Sequence, residues 1–279
     1  MKTMKLKRIA AMTAGLAAVD LVRKLSSGES LSMSQLIFLG LGYLFLSIYL
    51  VWVQGEMRLG FPGLASVLWL NLFVVGSFSN MIEGYFFTSV FESDTVFLMG
   101  AFAMLFFSGV QAGLASIILE RGKKGLRGSL AEYLADTNAL SWFKRVTMGT
   151  LSYFPVYFFF GMLVSPFVIP YYSDPSLGLI VPPFTVIITV EILRGFLYVA
   201  ALLPMAASLG ADKRTNAVAF AGMLFTVGAF IPLLGDQGLP PQIIPYHLAE
   251  IFADSVVYGY VLARVLTKKK TRLNNNHHP

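Results

Sequence analysis

An all-α, polytopic transmembrane bundle of about eight spans is the fold class this sequence predicts, on three observations. Charged residues make up only 13% of the 279 residues, against 56% hydrophobic ones, where globular chains carry about a quarter charged residues. Apolar runs near the roughly 20 residues needed to cross a hydrocarbon layer recur along the whole chain. Lys and Arg gather at one set of run ends and are missing from the other set.

The runs lie near residues 7–24, 35–53, 62–88, 94–120, 147–170, 180–208, 215–235 and 247–266. The first, "IAAMTAGLAAVDLVRKL", carries Asp20, Arg23 and Lys24 and also reads as an amphipathic surface helix. No small-residue cleavage site follows it to mark a signal peptide. Lys5, Lys7 and Arg8, then Arg121, Lys123, Lys124 and Arg127, then Lys213 and Arg214, then Lys268, Lys269, Lys270 and Arg272 mark the cytoplasmic ends. The opposite loops, "ESD", "YYSDPSLG" and "GDQGLPPQIIPY", hold no Lys or Arg. That asymmetry predicts both termini on the cytoplasmic side of a multi-pass protein of the cell membrane.

Residues 1–266 read as one transmembrane domain, with 121–146 as an amphipathic cytoplasmic connector and 267–279 as a basic, disordered tail. Within the connector, Ser129 and Glu132 have capping-box spacing, and Leu130, Tyr133, Leu134, Trp142 and Phe143 suit an inner-leaflet surface.

Several functions are disfavoured. With no cysteine there are no disulfides, thiolate metal sites or cysteine nucleophiles. His247 is the sole histidine outside the tail, so a three-histidine zinc site is excluded. No Gly-x-Ser-x-Gly elbow or phosphate-cradling glycine loop occurs, and no cofactor or metal is expected. The net charge of +6 sits at membrane boundaries, where it meets anionic lipid rather than nucleic acid.

Ionisable residues inside spans are the candidates for function, because each costs roughly 2.5–3.5 kcal/mol at the bilayer centre. Glu191 lies about 15 Å below the outer end of its helix, and Arg194 follows one turn deeper on the same face. Asn80 and Glu83 repeat that spacing on the third span. His247, Glu250 and Asp254 form a stripe down the last span. Convergence of the three faces would make an outward-facing pocket with Glu191 at its floor. Taken singly, each has a structural explanation: a clamp between helices for Glu191 and Arg194, a headgroup position for His247.

"NMIEGYFF" at 80–87 echoes "EILRGFLY" at 191–198, which predicts that these helices pair, as in an inverted repeat of three-helix units. Gly84 and Gly195, directly after the charged residues, suit close helix approach. A Glu and an Arg on one helix, with a histidine near the start of another, loosely resembles the CAAX-protease-like family of intramembrane hydrolases. That family's pattern has two adjacent glutamates before a more distant Arg, a Phe and His on the next helix, and a final His followed four residues on by Asn. Here Glu191 has no adjacent Glu, the seventh span has no histidine and Ile251 stands where the Asn would be, so no family is assigned.

The leading expectation is a small-solute or proton-linked transporter, in which Glu191 and Arg194 form a central switch and Asn80, Glu83, His247, Glu250 and Asp254 line the access route. The expected partners are membrane lipids and a small solute, a proton or a lipid-borne substrate. One alternative is an intramembrane hydrolase, protease-like or lipid-acting, with Glu191 and His247 as catalytic candidates. Another is a structural or assembly subunit, in which the same residues only join helices.

Overall fold

A chain this apolar must satisfy its backbone polar groups within its own segments, and helices do so without outside partners. The computed structural model describes residues 2–57, 59–119, 122–135, 137–209, 212–235 and 239–267, and no strand occurs among them. Nine α-helical rods, and one 3-10 turn at Pro175–Leu177, run through the described residues. The rods are α1 (Lys2–Ser26), α2 (Met33–Met57), α3 (Phe61–Phe87), α4 (Asp94–Ile118), α5 (Leu126–Ala135), α6 (Ala139–Tyr172), α7 (Phe184–Leu209), α8 and α9 (Ile244–Leu266). α8 continues without a break through Lys213–Phe225, Thr226–Phe230 and Ile231–Gly235.

Six of these, α2, α3, α4, α6, α7 and α8, are long and apolar enough to cross a membrane, fewer than the eight expected. α1 and α9 have the length but not the apolarity. α1 is studded with Lys, Arg and Asp, and α9 carries His247, Glu250, Asp254 and Arg264. Both lie against other helices, α1 on α2 and α4, α9 on α6 and α8, and a sheltered face need not be apolar.

The connector contains a helix, but its capping box does not form. α5 begins at Leu126, so Ser129 lies inside it and donates its hydroxyl to the Gly125 carbonyl, while Glu132 pairs with Lys124 at 2.6 Å. Tyr133 ties this helix to the bundle by donating to the Leu266 carbonyl. The basic tail from 268 on lies outside the described residues.

The bundle is two four-helix units built alike. In the first, α1 packs on α2 and α4, and α3 on α4; in the second, α6 packs on α7 and α9, and α8 on α9. α2 reaches across to α8 as α7 reaches across to α3. Where α3 and α8 meet, each widens from α-helix to π-helix, at Leu72–Phe78 and Thr226–Phe230. The sequences there, "LFVVGSF" at 72–78 and "LFTVGAF" at 224–230, are identical at five of seven positions.

The contact is reciprocal. A Cβ on Gly76 would stand 2.7 Å from Val227 Cγ1, and one on Gly228 would stand 3.3 Å from Val75 Cγ1. Along the series α3, α7, α6, α9 and α8 each helix runs antiparallel to the one before, as the pairs Asn71–Ala201 and Glu83–Arg194, Gly149–Val199 and Phe158–Phe184, Arg145–Val265 and Gly161–Glu250, and Asn216–Thr267 and Ala221–Gly259 show, so α3 and α8 are parallel. The repeat is direct and of four helices, not the inverted three-helix repeat the echo suggested. Direct repeats of this kind are related by an axis along the membrane normal.

Candidate functional site

A π-turn leaves carbonyls without their usual helical donors. Asn80 bonds to both π-segments, its side-chain amide donating to the Gly76 carbonyl at 2.9 Å and the Gly228 carbonyl at 2.8 Å. It pins the two π-segments together and places Glu83, one turn further along α3, against α7.

There Glu83 meets Arg194, its Oε2 at 2.8 Å from Nη2. Nη1 of the same guanidinium donates to both carboxylate oxygens of Glu191, at 3.0 and 2.9 Å. Nη2 also donates to the Tyr198 hydroxyl at 3.1 Å. The rings of Tyr153, Tyr157 and Tyr198 surround the guanidinium with centroids 5.7, 5.9 and 5.8 Å from Cζ, close enough for cation–π attraction. Glu191 is wholly buried and Arg194 is 5% exposed. One cation thus joins carboxylates from both four-helix units inside a cage of tyrosines. Gly195 allows this, because a Cβ there would lie 2.4 Å from the Thr150 carbonyl oxygen of α6.

The stripe on α9 closes the far side. His247 Nδ1 lies 3.1 Å from Glu250 Oε2, and Glu250 and Asp254 are both buried. Asn80, Glu83, Arg194 and Asp254 border one small cavity, with Glu191 bonded to Arg194 and Glu250 one turn from Asp254 on α9. All seven residues predicted from the sequence thus gather in one region, although their direct bonds divide into an α3–α7 group and an α9 group. Glu191 bonds Arg194, and His247 bonds Glu250. Among the described residues no three His, Asp or Glu side chains stand close enough together to hold a metal ion.

A cavity of about 30 Å³ touches Asn80, Glu83, Arg194 and Asp254, which is room for a water molecule. Nε of Arg194 is buried beside it without a hydrogen-bond partner.

Sequence reasoning missed a larger cavity, of about 620 Å³, enclosed mainly by α1, α2, α3, α4 and the end of α8. Asn80 lines both cavities. One wall of the larger carries two ion pairs, Arg23 with Asp20 at 2.6 Å and Lys24 with Glu29 at 2.9 Å, and a hydrogen bond of 2.9 Å from Gln111 to the Tyr43 hydroxyl. Partial burial acts to raise the Glu29 carboxyl, but the bond and charge of Lys24, the Ser27 hydroxyl and the Arg23 charge together outweigh it and hold the group below its ordinary value. The available signal was the polar end of α1, which reads as evidence against a span and so not as the wall of a site.

No known protein family, curated protein or solved structure matches this chain. Its geometry alone carries a functional reading.

Proposed function

We propose that this chain is a small-solute or proton-linked transporter of the cell membrane, with Glu83, Glu191 and Arg194 as its charged switch. One observation carries the reading: a single buried guanidinium joins a carboxylate of α3 to a carboxylate of α7, across the boundary between the two repeated units. Ionisable groups placed so deep are costly to bury, and in membrane proteins they mark ion and proton paths. The region holds four acidic side chains, Glu83 and Glu191 on Arg194, Glu250 on His247, and Asp254 beside them, against one arginine and one histidine. That excess of negative groups is offset by protons or by a bound cation. Movement of one unit against the other would break the Glu83–Arg194 contact and leave Glu191–Arg194 intact, which couples charge occupancy to access.

In this proposal α1 and α9 also cross the membrane, giving eight spans with both termini cytoplasmic. α1 occupies in the first unit the place that α6 holds in the second, and α9 the place of α4, and both counterparts are apolar enough to span.

Uptake by proteoliposomes, measured over a broad solute panel with and without a pH gradient, tests the proposal. Gradient-dependent accumulation of at least one solute is expected; no flux of any solute would count against transport.

A second reading, an intramembrane hydrolase, draws on the His247–Glu250 pair and the water-sized cavity beside Glu83 and Asp254. Under it, His247→Ala abolishes turnover of a lipid or peptide substrate. Under the transport reading, the same variant changes the pH profile of uptake and leaves flux measurable.

A further inference from the structure

The 620 Å³ cavity has the size of a ligand site and two chemically different walls. On the α1 side stand Asp20, Arg23, Lys24 and Glu29, two acids and two bases, with Asp20 and Lys24 at 8% and 6% exposure. Asp20 and Lys24 reach the cavity only at their edges, while Arg23 and Glu29 present more of their side chains, 18% and 32% exposed. The wall from α3 and α8 is largely apolar, formed by Leu72, Met81, Val227, Ile231 and Pro232. Apolar residues of α2 run from Phe38 to Leu46 along the cavity, about 12 Å of helix axis.

We propose that this cavity binds a single zwitterionic amphiphile, a phosphoethanolamine-type head with an acyl chain. The charged wall selects the head. A simple anion would gain Arg23 and Lys24 but face Asp20 and Glu29, and a simple cation the reverse. A zwitterion exchanges partner for partner, its phosphate taking the two bases and its ammonium the two acids. The apolar wall takes the chain, whose burial contributes about 0.8 kcal/mol per methylene. The site is distinct from the Arg194 cluster, and the proposal holds whether or not the protein transports.

Calorimetric titration of the full chain in amphipol tests it with three probes: a short-chain lysophosphatidylethanolamine, phosphoethanolamine without a chain, and lysophosphatidylglycerol of the same chain length. The expected result is one bound lysophosphatidylethanolamine per chain, at least about tenfold tighter than either of the other two. Equal binding of the headgroup alone would remove the apolar wall from the account, and equal binding of the anionic lipid would remove the charged wall; either overturns the proposal. Met104→Trp, which fills the cavity from α4, should weaken binding about tenfold or more. Arg23→Gln, which preserves volume, should erase the preference for the zwitterion over the anion. Both variants are compared at an unchanged size-exclusion profile, and unaltered binding in both would place the ligand elsewhere.

Discussion

The two four-helix units share one architecture and differ in what fills the space between their helices. In the second unit, α6, α7 and α9 close on a guanidinium, two carboxylates and a ring of tyrosines, leaving room for a water molecule. In the first, α1, α2 and α4 stand around an open cavity some twenty times larger, about 620 against 30 Å³. Small residues act at different helix pairs in the two units: in the first, Gly15 brings α1 onto α4, where a Cβ would lie 2.7 Å from Leu114 Cδ2. In the second, Gly195 brings α7 onto α6, and Gly259 brings α9 onto α8, where a Cβ would lie 2.6 Å from the Ala221 nitrogen. On α4, in the place α9 holds in its own unit, Gly113 has nothing within 4 Å of where a Cβ would be. The same fold thus supports a tight electrostatic joint on one side and a receptive space on the other, with Asn80 between them.

The contrast breaks most visibly at the charges. Arg194→Ala leaves Glu191 buried and unpaired, and should cost about 3–5 kcal/mol of unfolding free energy in micelles. Arg23→Ala leaves Asp20 largely buried but at the rim of the open cavity, where water can reach it, and should cost less, about 1 kcal/mol in the same titration. Comparable losses would mean that the two units are equally closed.

Packing should separate the units next. Gly259→Ala must push α9 off α8 and is expected to destabilise by about 1–3 kcal/mol. Gly113→Ala should be neutral or stabilise by up to about 1 kcal/mol, from helix propensity alone. Thermal unfolding of the pair decides it.

At the seam, Asn80→Leu removes both bonds to the π-turn carbonyls and should cost about 1–3 kcal/mol. Amide hydrogen exchange across the loosened segments 72–78 and 226–230 should rise in that variant before exchange elsewhere.

The smallest effect is expected at the start of α8. Asp212 caps that helix by accepting the Thr215 backbone N–H at 2.9 Å, and this bond holds its carboxyl below the ordinary value of 3.8. A depressed folded value stabilises above the unfolded one and is lost as pH falls through the folded one. The cap should therefore contribute at neutral pH and fade in acid below about pH 4. Asp212→Asn should flatten that part of the melting-temperature profile.

Much of this was legible in the sequence, for reasons that also explain the remainder. Apolar length marks α2, α3, α4, α6, α7 and α8, because lipid demands it of every lipid-facing helix. It fails for α1 and α9, where Asp20, Lys24, Glu250 and Asp254 are buried against protein or cavity while Lys5, Lys7 and Arg264 stand exposed towards the helix ends. Spacing of three and four residues placed Glu191 with Arg194 and His247 with Glu250, since a helix puts those positions on one face. Spacing cannot show which helices meet, and the Glu83–Arg194 contact rested on an eight-residue echo that pointed to the correct neighbours and the wrong symmetry. The true repeat, "LFVVGSF" and "LFTVGAF", is wholly apolar but for one hydroxyl residue in each copy. In a chain this rich in Phe, Leu and Val it does not stand out until both copies are seen to widen into π-helix and touch. The tyrosine cage and the large cavity depend on tertiary closure and leave no periodic trace.

Proton influx into proteoliposomes, followed with an internal pH dye for the parent chain, Glu191→Gln and Glu83→Gln, tests the switch most directly. The account predicts solute-dependent influx in the parent, loss of it in Glu191→Gln, and retention with an altered pH dependence in Glu83→Gln. Undiminished influx in Glu191→Gln, from protein that remains folded, would contradict it and leave Arg194 and its carboxylates as a structural clamp.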